Sequence, residues 1–364
     1  MDHRSDLGAL AGATVLVTGG AGLIGSRITA RLRDLGARPM ALCTMNAYPA
    51  PVYADLFGVR VGNPDVILGD VRDTSLVRKL VADSDYVIHA AALADVAACT
   101  REPLAAIDTN VAGTQHVLDA VAATDRVRRM LFVSSASVYG DGNPEETDRP
   151  ELLTMRQLLE SVHGRIPPRF HEFTHMRPKS VYGNTKAWGE QQTALVLGHV
   201  GTSYAIVRYF SVYGEPQTVK PHSHSWVVAW FAARAHLGLP LHLNGGGRQV
   251  RDLVHVDDVA EGTLRALTSA RAHTETVNIG TGVPTSVRQV AQLVRAHYPS
   301  TPLLTTPLPA GDPLGGYAAT RRMENVLGWK PQVTISDGVA RYVRWLQDTP
   351  GAVPDWLRRE PAAA

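Results

Sequence analysis

Tyr182 and Lys186 stand four residues apart in YGNTK, at the start of a predicted helix running through Trp188 to about Gly198. The phenol and the ammonium therefore share one helical face. An ammonium beside a phenol favours the phenolate, and moving a phenol from about 10 to about 7 takes roughly 4 kcal/mol of differential interaction. Such a phenolate is a general base at neutral pH, a role worth about 10²- to 10⁴-fold in rate. Upstream, SSASVYG (Ser134 to Gly140) closes a predicted strand with hydroxyl groups. Further upstream, TVLVTGGAGLIGS places Gly19, Gly22 and Gly25 between an apolar run, Thr14 to Val17, and a helical pattern with Leu23, Ile24, Ile28, Leu32 and Leu35 on one face. A glycine turn that follows a strand and opens a helix suits a dinucleotide pyrophosphate, because free N–H groups and the helix dipole meet the phosphates there.

These groups need a scaffold that gathers them at strand ends. Ala37 to Cys43, Val66 to Leu68, Tyr86 to His89 and Met130 to Val133 read as further strands, and about Pro103 to Ala123 as a helix carrying Asn110. The alternation predicts an α/β fold with a doubly wound parallel sheet of the Rossmann type. In such folds the end of the second strand commonly offers an acid to the adenosine ribose. Here Cys43, Thr44, Met45 and Asn46 occupy that place, yet no Lys or Arg lies between Pro39 and Val59 to meet a 2′-phosphate. The pattern favours NAD and leaves NADP open. Asp70, followed by Val71, is placed to accept from an adenine amino group, and Ala90, Ala91 and Ala92 let a cofactor pass close over the backbone.

The chain has 364 residues, 45% hydrophobic and 19% charged, with a formal net charge of +2. That is ordinary globular composition, and no basic stripe with interleaved aromatics points to nucleic acid. Cys43 and Cys99 are the two cysteines, which suits a reducing, cytoplasmic setting without a disulfide framework. No apolar run reaches membrane-spanning length. His163, His171 and His175 fit no compact ligand spacing, so no metal is expected.

With these motifs assembled, the chain resembles the extended short-chain dehydrogenase/reductases of the NAD-dependent epimerase/dehydratase family. The resemblance is carried by TGGAGLIG (Thr18–Gly25), GDVRD (Gly69–Asp73), HAAA (His89–Ala92), NVAGT (Asn110–Thr114), SSASVYG, YGNTK, RYFSVYG (Arg208–Gly214), RQVRDLVHVDDVAEG (Arg248–Gly262) and NIGTG (Asn278–Gly282). It implies a Rossmann lobe over about 11–207 with a return through 248–280, a smaller α/β nucleotide-sugar lobe over 208–247 and 281–350, and a homodimer joined through helices near 103–123 and 182–198. It also implies that Tyr182 takes the proton of a sugar hydroxyl while hydride passes to the nicotinamide. Lys186 would lower the phenol's pKa and hold the nicotinamide ribose, and Ser135 would hydrogen-bond the reacting oxygen. Gly19, Gly22, Leu23, Ile24, Gly25, Cys43, Thr44, Asp70, Val71, Ala90, Ala91, Ala92, Asn110, Ser134 and Tyr209 would line the cofactor. Ser137, Ser211, Val227, Leu241, His242 and Arg251 would line a nucleotide-diphosphate sugar, with Arg251 on the diphosphate rather than paired with Asp252.

The departures shape the functional reading. Ala136-Ser137 stands where dehydratases of the family carry Asp-Glu, so the resemblance favours a C4 epimerase working through a transient 4-keto sugar. A keto-sugar reductase or dehydrogenase, and a non-catalytic NAD(P)-sensing protein, are the alternatives. Thr218 replaces a basic residue of the glucuronate branch, Pro309 replaces a second diphosphate Arg before Gly311-Asp312, and Lys220 or Arg248 could compensate. The span between Ser135 and Tyr182 carries an insertion, about 150–178, expected to act as a substrate-shaping lid. Asp257 and Asp258 are expected to cap a helix.

Overall fold

The computed structural model describes residues 7–141, 150–163, 165–221, 226–309 and 314–359. The His163 side chain, Ser225 and Gly311-Asp312 lie outside the described residues. Seven strands form one wholly parallel sheet: β1 (Thr14–Thr18), β2 (Arg38–Cys43), β3 (Val66–Leu68), β4 (Tyr86–His89), β5 (Arg129–Ser135), β6 (Tyr204–Tyr209) and β7 (Glu275–Ile279), ordered β7-β6-β5-β4-β1-β2-β3. Chain order reverses between β1 and β4, and in such sheets the crevice beyond the carboxyl ends at this point receives ligand. Val15, Leu16 and Val17 are fully buried, which is why β1 reads as an unbroken apolar run rather than an alternation.

Helices pack on both faces. Ile28 and Leu32 of α1 (Leu23–Asp34) are fully buried in a core shared with Val259, Leu264 and Leu267. The helix expected over about 103–123 is interrupted: Asp108–Ala112 forms a π-turn before α2 (Gly113–Ala122). The extra residue in that turn directs Asn110 inward, where it bonds both the N–H and the C=O of Leu93 and donates to Thr185 Oγ1 at 3.1 Å. The insertion forms α3 (Pro150–His163), then a strand pair in which Arg169–Phe170 runs beside Tyr317–Ala318. Phe170 and Glu172 fasten residues 169–172 of the insertion to the body of the protein. Phe170 is buried and stacks on Tyr139 at 4.7 Å, and Glu172 accepts from Asn278 N. The catalytic-motif helix is α4 (Val181–Val200), N-capped by the Ser180 hydroxyl.

The smaller lobe gathers its own core from Phe231 of α5 (Val227–His236), Leu241, Leu253, Val339, Tyr342 and Leu346. Arg321–Leu327 departs from the expected division, since Met323 and Leu327 are buried in the Rossmann core. An ion-pair cluster joins the lobes. Arg27 on α1 and Arg341 both reach Glu215 and Asp257, and His255 lies 3.3 Å from Glu215. Glu215, His255 and Asp257 sit close enough to hold a cation, but the two guanidinium groups already neutralise the carboxylates. The cap of α6 (Val256–Thr268) is His255, whose ring accepts from Asp257 N. Asp258 instead accepts from Gln332 N and Val333 N. The expected side-chain cap comes from His255, but both acids lie in the first turn of α6, where they complement the helix dipole, and Asp258 also fastens the 332–333 segment.

Burial alone would raise the Glu215 carboxyl, but hydrogen bonds from His255 and Arg341 outweigh it and hold the group at about 2, against an ordinary 4.5. A lowered folded-state pKa gives stability that is present above pH 4.5 and lost as pH falls towards 2. Glu215→Gln should cost about 2–3 kcal/mol at pH 7, and the difference from wild type should shrink through that acid window. Urea unfolding at several pH values measures it.

Candidate active site

The glycine turn brings together the first of the residues expected to bind the cofactor. Gly19 adopts φ +73°, and a Cβ there would meet Ala91 N at 2.9 Å and Ala90 C at 3.1 Å. This close approach explains the small residues after β4, while Thr18 Oγ1 accepts from Ala91 N at 3.1 Å. Gly22 precedes α1 with no side-chain cap, and the first helical turn holds no acid. A Cβ on Gly22 would touch only Gly19 O, at 3.4 Å. The turn therefore offers uncapped N–H groups of Leu23 and Ile24 and an open cradle beside the positive end of a helix. These features fit a dinucleotide pyrophosphate.

At the β2 end, Cys43 is half-buried against backbone N–H groups of Ala21 and Met45, and burial pushes its thiol pKa up. Tyr48, Tyr53 and Phe57 close an apolar cluster over it, with Thr44 exposed beyond. Asp70 is engaged by Arg72 through Nε and Nη2, a hydrogen-bonded pair that lowers its pKa. Val71 is buried, its carbonyl accepting from His116.

Ser135, Tyr182 and Lys186, the expected catalytic residues, are brought together by β5, the short 3₁₀ turn Ala136–Tyr139 and α4. Gly183 permits this, since a Cβ there would press on Ser137 O at 2.7 Å. Ser135 lies within hydrogen-bonding influence of the Tyr182 phenol. The Ser137 hydroxyl is buried without a partner among the described residues, which leaves a donor and acceptor available to a ligand. Lys186 is 4% exposed; its Nζ donates to Val133 O at 2.8 Å and lies 5.9 Å from the Tyr182 ring centroid.

The expected acidic phenol is not found in the protein alone. Burial pushes Tyr182 up to about 12, with the Ser135 hydrogen bond working against it. Burial also takes Lys186 down to about 8, opposed by the charge of Glu190. Spacing correctly places both groups on one face, but desolvation outweighs their mutual effect while the ammonium faces a backbone carbonyl.

Three expected cofactor contacts take other roles. Ser134 is 1% exposed, and its hydroxyl donates to Glu190 Oε1 behind the sheet end. The Tyr209 phenol is buried against Thr263 Oγ1 at 2.6 Å. Asn110 fastens the Leu93 segment to α4. On the substrate side, Leu241 is fully buried in the smaller lobe's core and presents no side chain to a nucleobase, whereas its neighbour His242 is exposed. Ser211 and Val227 are half-buried near the lobe boundary. Arg251 donates to Val250 O at 2.9 Å and lies against Gly315, while Asp252 is turned inward onto Thr281, Gly282 and Ala318.

Residue-by-residue reading missed the support behind Lys186. Glu190, one helical turn further on, accepts from Arg208 Nε at 2.8 Å and Nη2 at 2.6 Å. Arg208 also donates to Tyr139 Oη at 2.8 Å, and Tyr139 donates to Asn278 Oδ1 at 2.7 Å. The i, i+4 spacing of Lys186 and Glu190 was the available signal; the Arg208 partner comes from another strand. His89, between Thr18 and Thr114 hydroxyls, is likewise structural, and burial lowers its pKa to about 3.

A parallel sheet with a glycine cradle at its reversal point and Ser, Tyr and Lys side chains beside it is the arrangement of a dinucleotide-binding Rossmann protein. A model of the NAD dependent epimerase/dehydratase family matches residues 15–280, and the chain belongs to that family. It is 30% identical over 344 residues to the putative UDP-glucose 4-epimerase of Methanocaldococcus jannaschii, covering 92% of this chain and 98% of that one. It is also 30% identical to the dTDP-L-rhamnose 4-epimerase of Burkholderia thailandensis, covering 92% and 95%. The crystal structure of the Thermotoga maritima UDP-glucose 4-epimerase with UDP-glucose superposes with a TM-score of 0.77 at 27% identity, covering 92% of this chain and 99% of that chain.

Because the Glu190 charge holds the Lys186 ammonium protonated against burial, Glu190→Gln should move the Lys186 titration below about 8. Carbon-13 NMR of ε-labelled lysine follows it directly. An unchanged Lys186 titration would remove Glu190 from this role.

Proposed function

We propose that this protein epimerises a nucleotide-activated sugar at C4, using bound NAD. The observation that carries the reading is the convergence of the Ser135 hydroxyl, the Tyr182 phenol and the Lys186 ammonium beside the glycine cradle. NAD, when bound, supplies the acceptor and donor of hydride and a nicotinamide cation whose charge favours the Tyr182 phenolate over the phenol held at about 12 in the protein alone. Tyr182 Oη takes the proton of the C4 hydroxyl as C4 gives up hydride, and returns it to the same oxygen after the 4-keto sugar has turned over, so that C4 regains hydride on its other face. Ser135 holds the reacting oxygen, and the unpartnered Ser137 hydroxyl meets the sugar beyond it. Lys186 keeps positive charge under the phenol as the proton arrives and leaves. Ala136 and Ser137 place no carboxylate at the turn where elimination of the 6-hydroxyl needs an acid and a base, which supports epimerisation over dehydration.

The test incubates the purified protein with UDP-glucose, UDP-glucuronate and dTDP-L-rhamnose and follows C4 inversion by NMR alongside absorbance at 340 nm. The expected result is inversion of one sugar with no net absorbance change, and loss of about 10²-fold or more of turnover in Tyr182→Phe with NAD still bound. Stoichiometric oxidation or reduction of the nucleotide would replace this reading with a reductase or dehydrogenase.

The same reading makes the chain a homodimer through α2 and α4, where Leu195 and the nearby Leu104 and Ile107 are exposed. Leu195→Asp combined with Leu104→Asp should halve the mass seen by light scattering. A wild-type protein already monomeric would reject the dimer.

A further inference from the structure

We propose that Lys220 is an oxyanion-binding residue for the substrate, a subsite that deepens the nucleotide-sugar reading and rests on it. Its Nζ lies 4.1 Å from the centroid of the Tyr48 ring and 5.8 Å from that of Trp226. Among the described residues it has no hydrogen-bond or ion-pair partner. Asp95 is the opposite charge acting on it, and Asp95 Oδ1 accepts from Ala98 N at 2.8 Å. The two aromatic faces stabilise the cation and exclude water, but they accept none of its three N–H donors. A half-buried ammonium with idle donors is costly unless an acceptor arrives.

The surroundings point to an anion arriving from the crevice. Tyr48 follows β2 and Asp95 follows β4, the two strands that flank β1, so the cluster stands over the carboxyl ends where ligands enter. Tyr48 is held in place by Tyr53 and Phe57, with ring centroids 5.7 and 5.3 Å away. Trp226 is the N-cap of the ten-residue α5, which has neither a side-chain cap nor an acid in its first turn. Phosphate and the carboxylate of an acidic sugar share the required chemistry.

The chain has five lysines, at 79, 179, 186, 220 and 330, so ε-¹³C-lysine spectra of the full chain are readily assigned with Lys220→Met and Lys186→Met. NAD is added first, then UDP, UDP-glucose and UDP-glucuronate, followed by the corresponding dTDP and GDP compounds. A Lys220 shift with nucleoside diphosphates and their sugars alike supports a diphosphate at this site. A shift with UDP-glucuronate alone supports a sugar carboxylate. In either case Lys220→Met should weaken the responding ligand about tenfold or more and leave NAD affinity unchanged. If nucleotide sugars move the Lys186 resonance but not that of Lys220, or if NAD alone moves Lys220, the subsite is overturned while the epimerase reading stands. If no nucleotide sugar moves either resonance, both fall.

Discussion

Behind Lys186 lies a carboxylate buried almost completely from water, and much of the site's geometry depends on it. Glu190 and Arg208 are each about one-twentieth exposed and meet in a bidentate pair. A buried ion pair contributes little net stability over an apolar pair of the same volume, but breaking it leaves an uncompensated charge. It therefore specifies an arrangement more than it strengthens one. Here it fixes α4 against β5 through Ser134, against β6 through Arg208, and against the 3₁₀ turn through Tyr139. Arg208 also donates to Glu172 O, tying the inserted segment to the same point. Lys186 projects from the helix so fixed, and Glu190 is the charge that opposes its neutralisation.

The second constraint is the crevice between the lobes. The glycine cradle belongs wholly to the Rossmann sheet, whereas Lys220, Trp226 and Ser211 come from the smaller lobe. Arg27, Arg341, Glu215 and Asp257 link α1, the segment after residue 213, α6 and the helix Ile335–Asp348. This ionic joint positions the lobes beside the same helix whose N-terminus forms the cradle.

Much of the fold was legible because it rests on local rules. The runs 14–17, 66–68 and 86–89 became strands at nearly those residues, and the 3.6-residue apolar period of α1 fell on the buried face. What escaped were features set by distant partners. The π-turn at Asp108–Ala112 shows no break in apolar period, because it is stabilised by Asn110 reaching Leu93 and Thr185. Leu241 next to an exposed His242 reads as a binding edge, but the core it fills is assembled from five separate stretches. Residues 165–178 read as a loop because the strand that receives them begins at Tyr317.

By itself the sequence determined which chemistry was available: a phenol and an amine on one helical face, hydroxyls at a strand end, and a turn only glycine can make. Those are consequences of helical spacing and backbone sterics, which act within a few residues. The tertiary structure alone decided the electrostatic state of these groups, because desolvation and long-range charge depend on what packs around a side chain. The same phenol that spacing makes acidic is, once buried, held to about 12.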